Sequence, residues 1–275
     1  MSRSCSPARA PRLPRVRIDG VRQSLGAFRG RPGGSPQGLR PGANQIRGTR
    51  LQLHRDLGID TSESLTLGAA YHLTALDALR LTFDSVLLYR SSRLPTKVEF
   101  NGTTLRAGTD IDTRPEFFRL TALYERRLLA LSRGGYLAGH VGLTYVFLTF
   151  KLHGAVSSRT KDPDLGEDFL IQELPVPLLG FRIDWPLIDR LSLIGSLTGG
   201  YLPRVDSLRY EGGEVRLSQT HADASAGLRY QLTPAIDVEA GYRFTYFAQH
   251  EVSREDGNSI RLWDNGLSAL LAYRF

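Results

Sequence analysis

Residues 219–246 read QTHADASAGLRYQLTPAIDVEAGYRFTY. In the second half Ile236, Val238, Ala240, Tyr242, Phe244 and Tyr246 alternate with Asp237, Glu239, Gly241, Arg243 and Thr245. Only an extended strand sends alternate side chains to opposite faces, so this stretch is a strand with one apolar face. The first half repeats the pattern. Ala222, Ala224, Ala226, Leu228 and Tyr230 oppose Gln219, His221, Asp223, Ser225, Gly227 and Arg229. The break Leu232-Thr233-Pro234 joins the halves as a hairpin. That hairpin is expected to bring Arg229 near Asp237 and Asp223 near Arg243, opposite charges that support each other across a ladder.

The same period of two extends in both directions. Leu51, Leu53, Leu57 and Ile59 alternate with polar residues, as do the apolar positions of 65–71, 79–89, 118–124, 137–147, 191–201 and 261–275. Pro175, Pro177 and Gly180 interrupt 170–186 and predict a bulge or register change there. The uncharged run 134–150 has the composition of a strand, being short for a membrane helix and rich in glycine, β-branched and aromatic residues. Ten strands are predicted, with eight as the other possibility. Short breaks fall at 74–77, 129–134, 187–190 and 231–234. Long ones fall at 91–113, 155–167, 204–216 and 251–258.

Charge divides the chain in two. Residues 1–47 hold ten arginines and one acid, Asp19, for a net +9, whereas the whole chain carries +7. The basic pI of 9.7 therefore belongs to this segment, and residues 48–275 are slightly acidic. The segment also has six prolines, seven glycines and no apolar periodicity, so it is expected to be a disordered leader. Arginine outnumbers lysine 32 to 3, the mark of a GC-rich gene, and a start codon assigned too far upstream would produce such a leader. The single Cys5 lies there too, which excludes disulfide scaffolds and cysteine metal sites from the rest. No secretory signal pattern is visible.

Strands of 11–16 residues exceed the roughly 5–6 of soluble sheets, and aromatic residues gather near strand ends on the apolar face. The opposite face mixes small residues with charges of both signs. Together with short turns on one side and long loops on the other, this predicts an all-β, closed, antiparallel up-and-down membrane β-barrel over 48–275. The alternative is a soluble sandwich whose basic arm binds nucleic acid.

The closing run Leu-Leu-Ala-Tyr-Arg-Phe, with Leu271, Tyr273 and Phe275 at alternate positions, resembles the terminal signal of outer-membrane β-barrel proteins. RYQLTPAIDVEAGYRF and ELPVPLLGFR resemble hairpins of the small OmpW/OmpA-like transmembrane barrels. The resemblance implies a bacterial outer-membrane location, recognition by the barrel-assembly machinery and contact with outer-membrane lipids. It covers roughly 48–275. A monomer is expected, with no nucleic-acid partner.

The residues assigned to the lumen are Asp56, Arg80, Asp84, Arg119, Glu125, Arg182, Asp184, Asp223, Arg229, Asp237, Glu239 and Arg243. Eight-stranded barrels are filled by side chains and sixteen-stranded ones hold channels, so at ten strands these charges are expected to pair into a plug. A selective narrow pathway is the other reading. His221, Asp223 and Ser225 share one face but stand about 6.8 Å apart in sequence steps of two, too far for a nucleophilic triad. The remaining histidines lack metal-ligand spacing. The acidic loop Asp162, Asp164, Glu167 and Asp168 suits Ca²⁺ by ligand type but departs from the EF-hand pattern, and a solvated loop is the simpler reading. No cofactor motif is present. The function expected is a non-enzymatic outer-membrane barrel, structural or a narrow conduit for small or apolar solutes. An outer-membrane lipid or peptide hydrolase is the alternative.

Overall fold

In the computed structural model the described residues are 17–20, 62–87, 90–93, 98–100, 103–105, 107–108, 110–154, 165–171, 174–210, 214–252 and 257–274. The strands, in chain order, are β1 (Arg17–Gly20), β2 (Glu63–His72), β3 (Asp77–Leu87), β4 (Arg90–Arg93), β5 (Val98–Phe100), β6 (Thr103–Leu105) and β7 (Asp110–Ala130). They continue with β8 (Tyr136–Gly154), β9 (Leu165–Ile171), β10 (Val176–Ile188), β11 (Leu191–Tyr210), β12 (Glu214–Gln231), β13 (Ile236–Val252) and β14 (Gly257–Arg274). Nine of these are long. They form an antiparallel up-and-down meander in the order β2-β3-β7-β8-β10-β11-β12-β13-β14. β4 and β9 extend the wall at the loop end, against β7 and β8 respectively, and β5 and β6 form a separate hairpin.

The nine long strands match nine of the predicted ones. The tenth prediction, 51–59, lies outside the described residues. In its place between β14 and β2 stands β1, whose Arg17–Gly20 face Arg274–Leu271 of β14 and whose Asp19 faces Gly68 of β2. These four are the described residues of the segment expected to be a disordered leader. Backbone pairing needs only free N–H and C=O groups, and a four-residue strand is too short to show in an apolar period.

Two of the short turns are built alike. In Leu73-Thr74-Ala75-Leu76 the Thr74 hydroxyl accepts from the amides of Leu76 (3.0 Å) and Asp77 (2.9 Å). In Leu232-Thr233-Pro234-Ala235 the Thr233 hydroxyl accepts from Ala235 (3.2 Å) and Ile236 (3.0 Å). The threonine oxygen thus satisfies amides that the tight reversal leaves without a ladder partner. Between β7 and β8, a 3₁₀ turn at Ser132–Gly134 reverses the chain through positive φ at Arg133 (59°) and Gly134 (78°).

The loop predicted at 204–216 is largely strand, because β11 runs to Tyr210 and β12 starts at Glu214, and β13 and β14 enter the ends of the one predicted at 251–258, at Val252 and Gly257. β7 likewise begins at Asp110, inside the predicted 91–113. Past the apolar belt the ladder goes on pairing although the side-chain alternation fades, so hydropathy placed those ends too early. The irregularity predicted in 170–186 falls at its N-terminal part, where β9 ends at Ile171 and β10 starts at Val176.

The distribution of polarity is inverted relative to a water-soluble protein. Among the described residues, fourteen buried ones are polar or charged and twelve are hydrophobic, while large apolar side chains stand exposed on every long strand. Leu67, Leu81, Leu143, Phe181, Leu197, Tyr242 and Leu267 are among the exposed ones, 43–67% open. A sandwich would turn this face inward. The buried faces carry even-numbered residues on β2, β3, β8 and β10 and odd-numbered ones on β7, β12 and β13.

Candidate functional site: the charged lumen

The buried faces curl towards one another, and their charges meet in pairs at two heights. At mid-height two arginines and two aspartates alternate. Arg119 on β7 donates to Asp84 on β3 through Nε (3.0 Å) and Nη2 (2.8 Å), and to Asp223 on β12 through Nη1 (2.7 Å). Arg243 on β13 donates to Asp84 (3.0 Å) and Asp223 (3.3 Å). Thr66 on β2 (2.7 Å to Asp84) and Thr245 on β13 (2.8 Å to Asp223) occupy further acceptor positions. Side chains from β2, β3, β7, β12 and β13 thus converge, so the cluster spans the space between opposite parts of the wall. Each carboxylate is shared by two guanidinium groups, which is the compensation a buried charge requires.

Nearer the short turns, Arg80 on β3 holds Glu125 on β7 bidentately, Nε to Oε2 at 2.7 Å and Nη2 to Oε1 at 3.1 Å. Arg229 on β12 donates to Asp184 on β10 at 2.6 Å. Asp237 at the start of β13 is ion-paired with Arg274 at the end of β14. Arg182 is half-buried near Tyr136, Glu125, Glu239 and Asp184, and its buried Nε has no hydrogen-bond partner among the described residues. Glu239 stands opposite Arg229 in the β12–β13 register.

Eleven of the twelve residues assigned to the lumen from sequence therefore lie where the buried faces converge, and Asp56 is outside the described residues. One expected pairing is corrected. Arg229 reaches past β11 to Asp184 on β10 and not to Asp237, because the turn at 232–235 sets Gln231 opposite Asp237. The expected proximity of Asp223 and Arg243 is found. Leu271 (54% exposed) and Tyr273 (45%) project outward at the end of β14, and Phe275 lies outside the described residues. Asp162 and Asp164 also lie outside them, and Glu167 and Asp168 fall within β9. Among the described residues no three His, Cys, Asp or Glu side chains gather as metal ligands.

His221, Asp223 and Ser225 do not act together. His221 lies 3.5 Å from the Gln219 amide oxygen, Asp223 is engaged by Arg119, Arg243 and Thr245, and Ser225 bonds Ser196 at 2.7 Å.

Sequence reasoning limited to charges missed an uncharged layer towards the long loops. There Gln219 donates to Gln249 at 2.7 Å, and Phe247 packs edge-on against both Phe117 and His221. It also missed His140, 2.8 Å from the Thr198 hydroxyl. The buried-face parity that located the charges would have found all of these. Below this layer is a cavity of about 40 Å³, lined by Val86, Phe117, Phe247 and Leu262 with Asp84 and Arg243 on its polar side. At 10–15 Å³ per water it holds roughly three water molecules.

No family model matches the sequence, and no curated protein matches it. Solved structures do. The chain is similar to the outer membrane protease OmpT from Escherichia coli, with 13% identity, a TM-score of 0.54, and coverage of 96% of this chain and 97% of that one. It also matches the translocator domain of the autotransporter NalP from Neisseria meningitidis (15% identity, 95% and 88% covered, TM-score 0.43). A third match is Ail, the attachment invasion locus protein of Yersinia pestis (13% identity, 95% and 99% covered, TM-score 0.33).

Proposed function

From a fold that is that of the outer-membrane β-barrels, we propose that this chain is a closed, ten-stranded outer-membrane barrel whose lumen is plugged by its own charges. Its role is structural, carrying the connections from β3 to β7, β8 to β10, β11 to β12 and β13 to β14, and it is not an open channel. The supporting observation is the Arg119–Asp84–Arg243–Asp223 cluster, which joins β3 and β7 to β12 and β13 across the lumen. The two arginines and two aspartates of this cluster sum to no net charge. The cavity above it is small, about 40 Å³.

Closure with β1 as the tenth strand is part of this reading. The Ser62–Asp264 hydrogen bond (2.9 Å) supports it by tying the start of the first long strand to the last one. An assembly role for the alternate residues Leu271, Tyr273 and Phe275 belongs to the same reading. The protein is read as a non-enzymatic monomer in contact with outer-membrane lipids.

The test is conductance across a planar bilayer. The folded protein is expected to carry no steady current, and Asp84→Ala with Arg119→Ala together should open one. A large steady current through the unaltered protein would refute the plug. Hydrolysis of lipid or peptide by the folded protein would favour the enzyme reading.

A further inference from the structure

The tips at the short-turn end differ sharply in charge. Leu73–Leu76 and Leu232–Ala235 contain no charged residue. The β7–β8 tip (126–135) and the adjoining β10–β11 tip (186–190) contain Arg126, Arg127, Arg133 and Arg190 against the single acid Asp189, a net +3. The two tips are pressed together. Arg133 donates through Nη1 to the carbonyl of Leu187, and a Cβ on Gly135 would stand 2.8 Å from the carbonyl oxygen of Asp184.

All four arginines are exposed. Arg126 approaches Asp77 only to 3.6 Å with 58% of its side chain open, and Arg127 lies over the Tyr136 ring at 4.2 Å. Arg127, Arg133 and Arg190 have no carboxylate partner among the described residues. The apolar side chains at the same place are among the most exposed of the molecule: Leu128 at 53%, Leu129 at 58% and Ile188 at 64%, with Trp185 at 40% one turn deeper. Residue 128 is the extra residue of a bulge between Arg127 and Leu129, and Leu128 covers Gly139, which pairs with Arg126 across the ladder. Leucines therefore sit on the outer wall and guanidinium groups at its rim.

We propose that this rim patch binds the headgroup of an anionic glycerophospholipid from the leaflet at the short-turn end. The arginine forks take the phosphate oxygens, and Leu128, Leu129, Ile188 and Trp185 lie along the acyl chains. The chemistry is complementary on both counts, since a guanidinium pairs bidentately with phosphate and an indole favours the interface. The inference rests on the membrane-barrel reading.

The full chain is folded into vesicles of equal parts phosphatidylcholine and phosphatidylglycerol, extracted in non-ionic detergent, and the lipid that stays bound is measured by mass spectrometry. Phosphatidylglycerol should be enriched over phosphatidylcholine. Each arginine near a membrane surface contributes about 1 kcal/mol, so Arg126→Gln and Arg133→Gln should each lower the enrichment about fivefold. Arg216→Gln, at the opposite end of the barrel, should not change it. Equal enrichment in the Arg126/Arg133 double variant, or none in the unaltered chain, overturns the site. So does displacement of the lipid by inorganic phosphate at equal concentration, which would make the patch a simple anion site.

Asp189→Asn needs no arginine to be removed. It should raise the enrichment, and an unchanged value counts against the proposal even if the arginine variants fail to fold. A fast-migrating unboiled band on electrophoresis, read on every sample, separates the two levels. Its absence from the unaltered chain overturns the barrel reading and the lipid site with it. Its presence without lipid selectivity overturns the lipid site alone.

Discussion

Asp84 accepts from Arg119, Arg243 and Thr66 at once and is 4% exposed. Removing its carboxylate leaves Arg119 and Arg243 to share the single carboxylate of Asp223. Breaking a buried ion pair from one side costs about 3–5 kcal/mol, so Asp84→Ala should lower the urea midpoint of the folded protein by the equivalent of that loss. Asp206→Ala removes an exposed acid that sits 3.5 Å from Arg216 and should cost less than about 1 kcal/mol. Equal effects would show that the lumen is as wet as the surface. A smaller loss is expected at the turns, where Thr233→Val removes the acceptor of two amides and should cost about 1–2 kcal/mol in the same titration. The charges of the lumen were legible in sequence because parity alone decides which face a residue occupies. Their partners were less so, because the turn at 232–235 sets Glu239 and not Asp237 opposite Arg229, and Arg229 reaches past β11 to Asp184 on β10. A period of two fixes a face and leaves the register open.

At the scale of the element, the apolar alternation located the nine long strands because one face is exposed and apolar and the other is buried among polar side chains. It misplaced the ends of β11, β12 and β7, where the outer face leaves the apolar belt and the ladder continues without it. Close strand packing is a further feature that hydropathy does not carry. The neighbouring glycines of β11 illustrate it. A Cβ on Gly199 would have no atom nearer than 3.9 Å, whereas on Gly200, facing inward, it would stand 2.5 Å from both the Pro177 carbonyl oxygen and a Leu178 methyl. Gly199→Ala should therefore leave the unfolding midpoint within about 0.5 kcal/mol of the unaltered protein. Gly200→Ala should lower it by about 1–3 kcal/mol, as overpacking does. Equal midpoints for the two variants would mean that β10 and β11 are not held at this spacing.

Over the whole molecule, the inversion of polarity requires an apolar surround, and in such a surround an unpaired sheet edge is the greatest liability, because each free amide or carbonyl in lipid costs several kcal/mol. β2 and β14 run in the same direction, being joined through an even number of reversals, so they need one ascending strand between them to alternate. β1 meets that need in its direction, pairing antiparallel with both. It supplies only four residues, Arg17–Gly20, against the ten of β2 and the eighteen of β14. That four residues of the highly basic N-terminal segment pair with both β14 and β2 was hidden from sequence, where composition outweighs a four-residue strand. The consequence is measurable on gels loaded with and without boiling. The full chain, refolded in detergent, should show a fast band that slows on boiling. A chain starting at residue 48 lacks β1 and should lose the fast band or melt out of it at a lower temperature. If the shortened chain keeps the fast band to the same temperature, Arg17–Gly20 does not hold the seam, and another segment must supply the strand that β2 and β14 require.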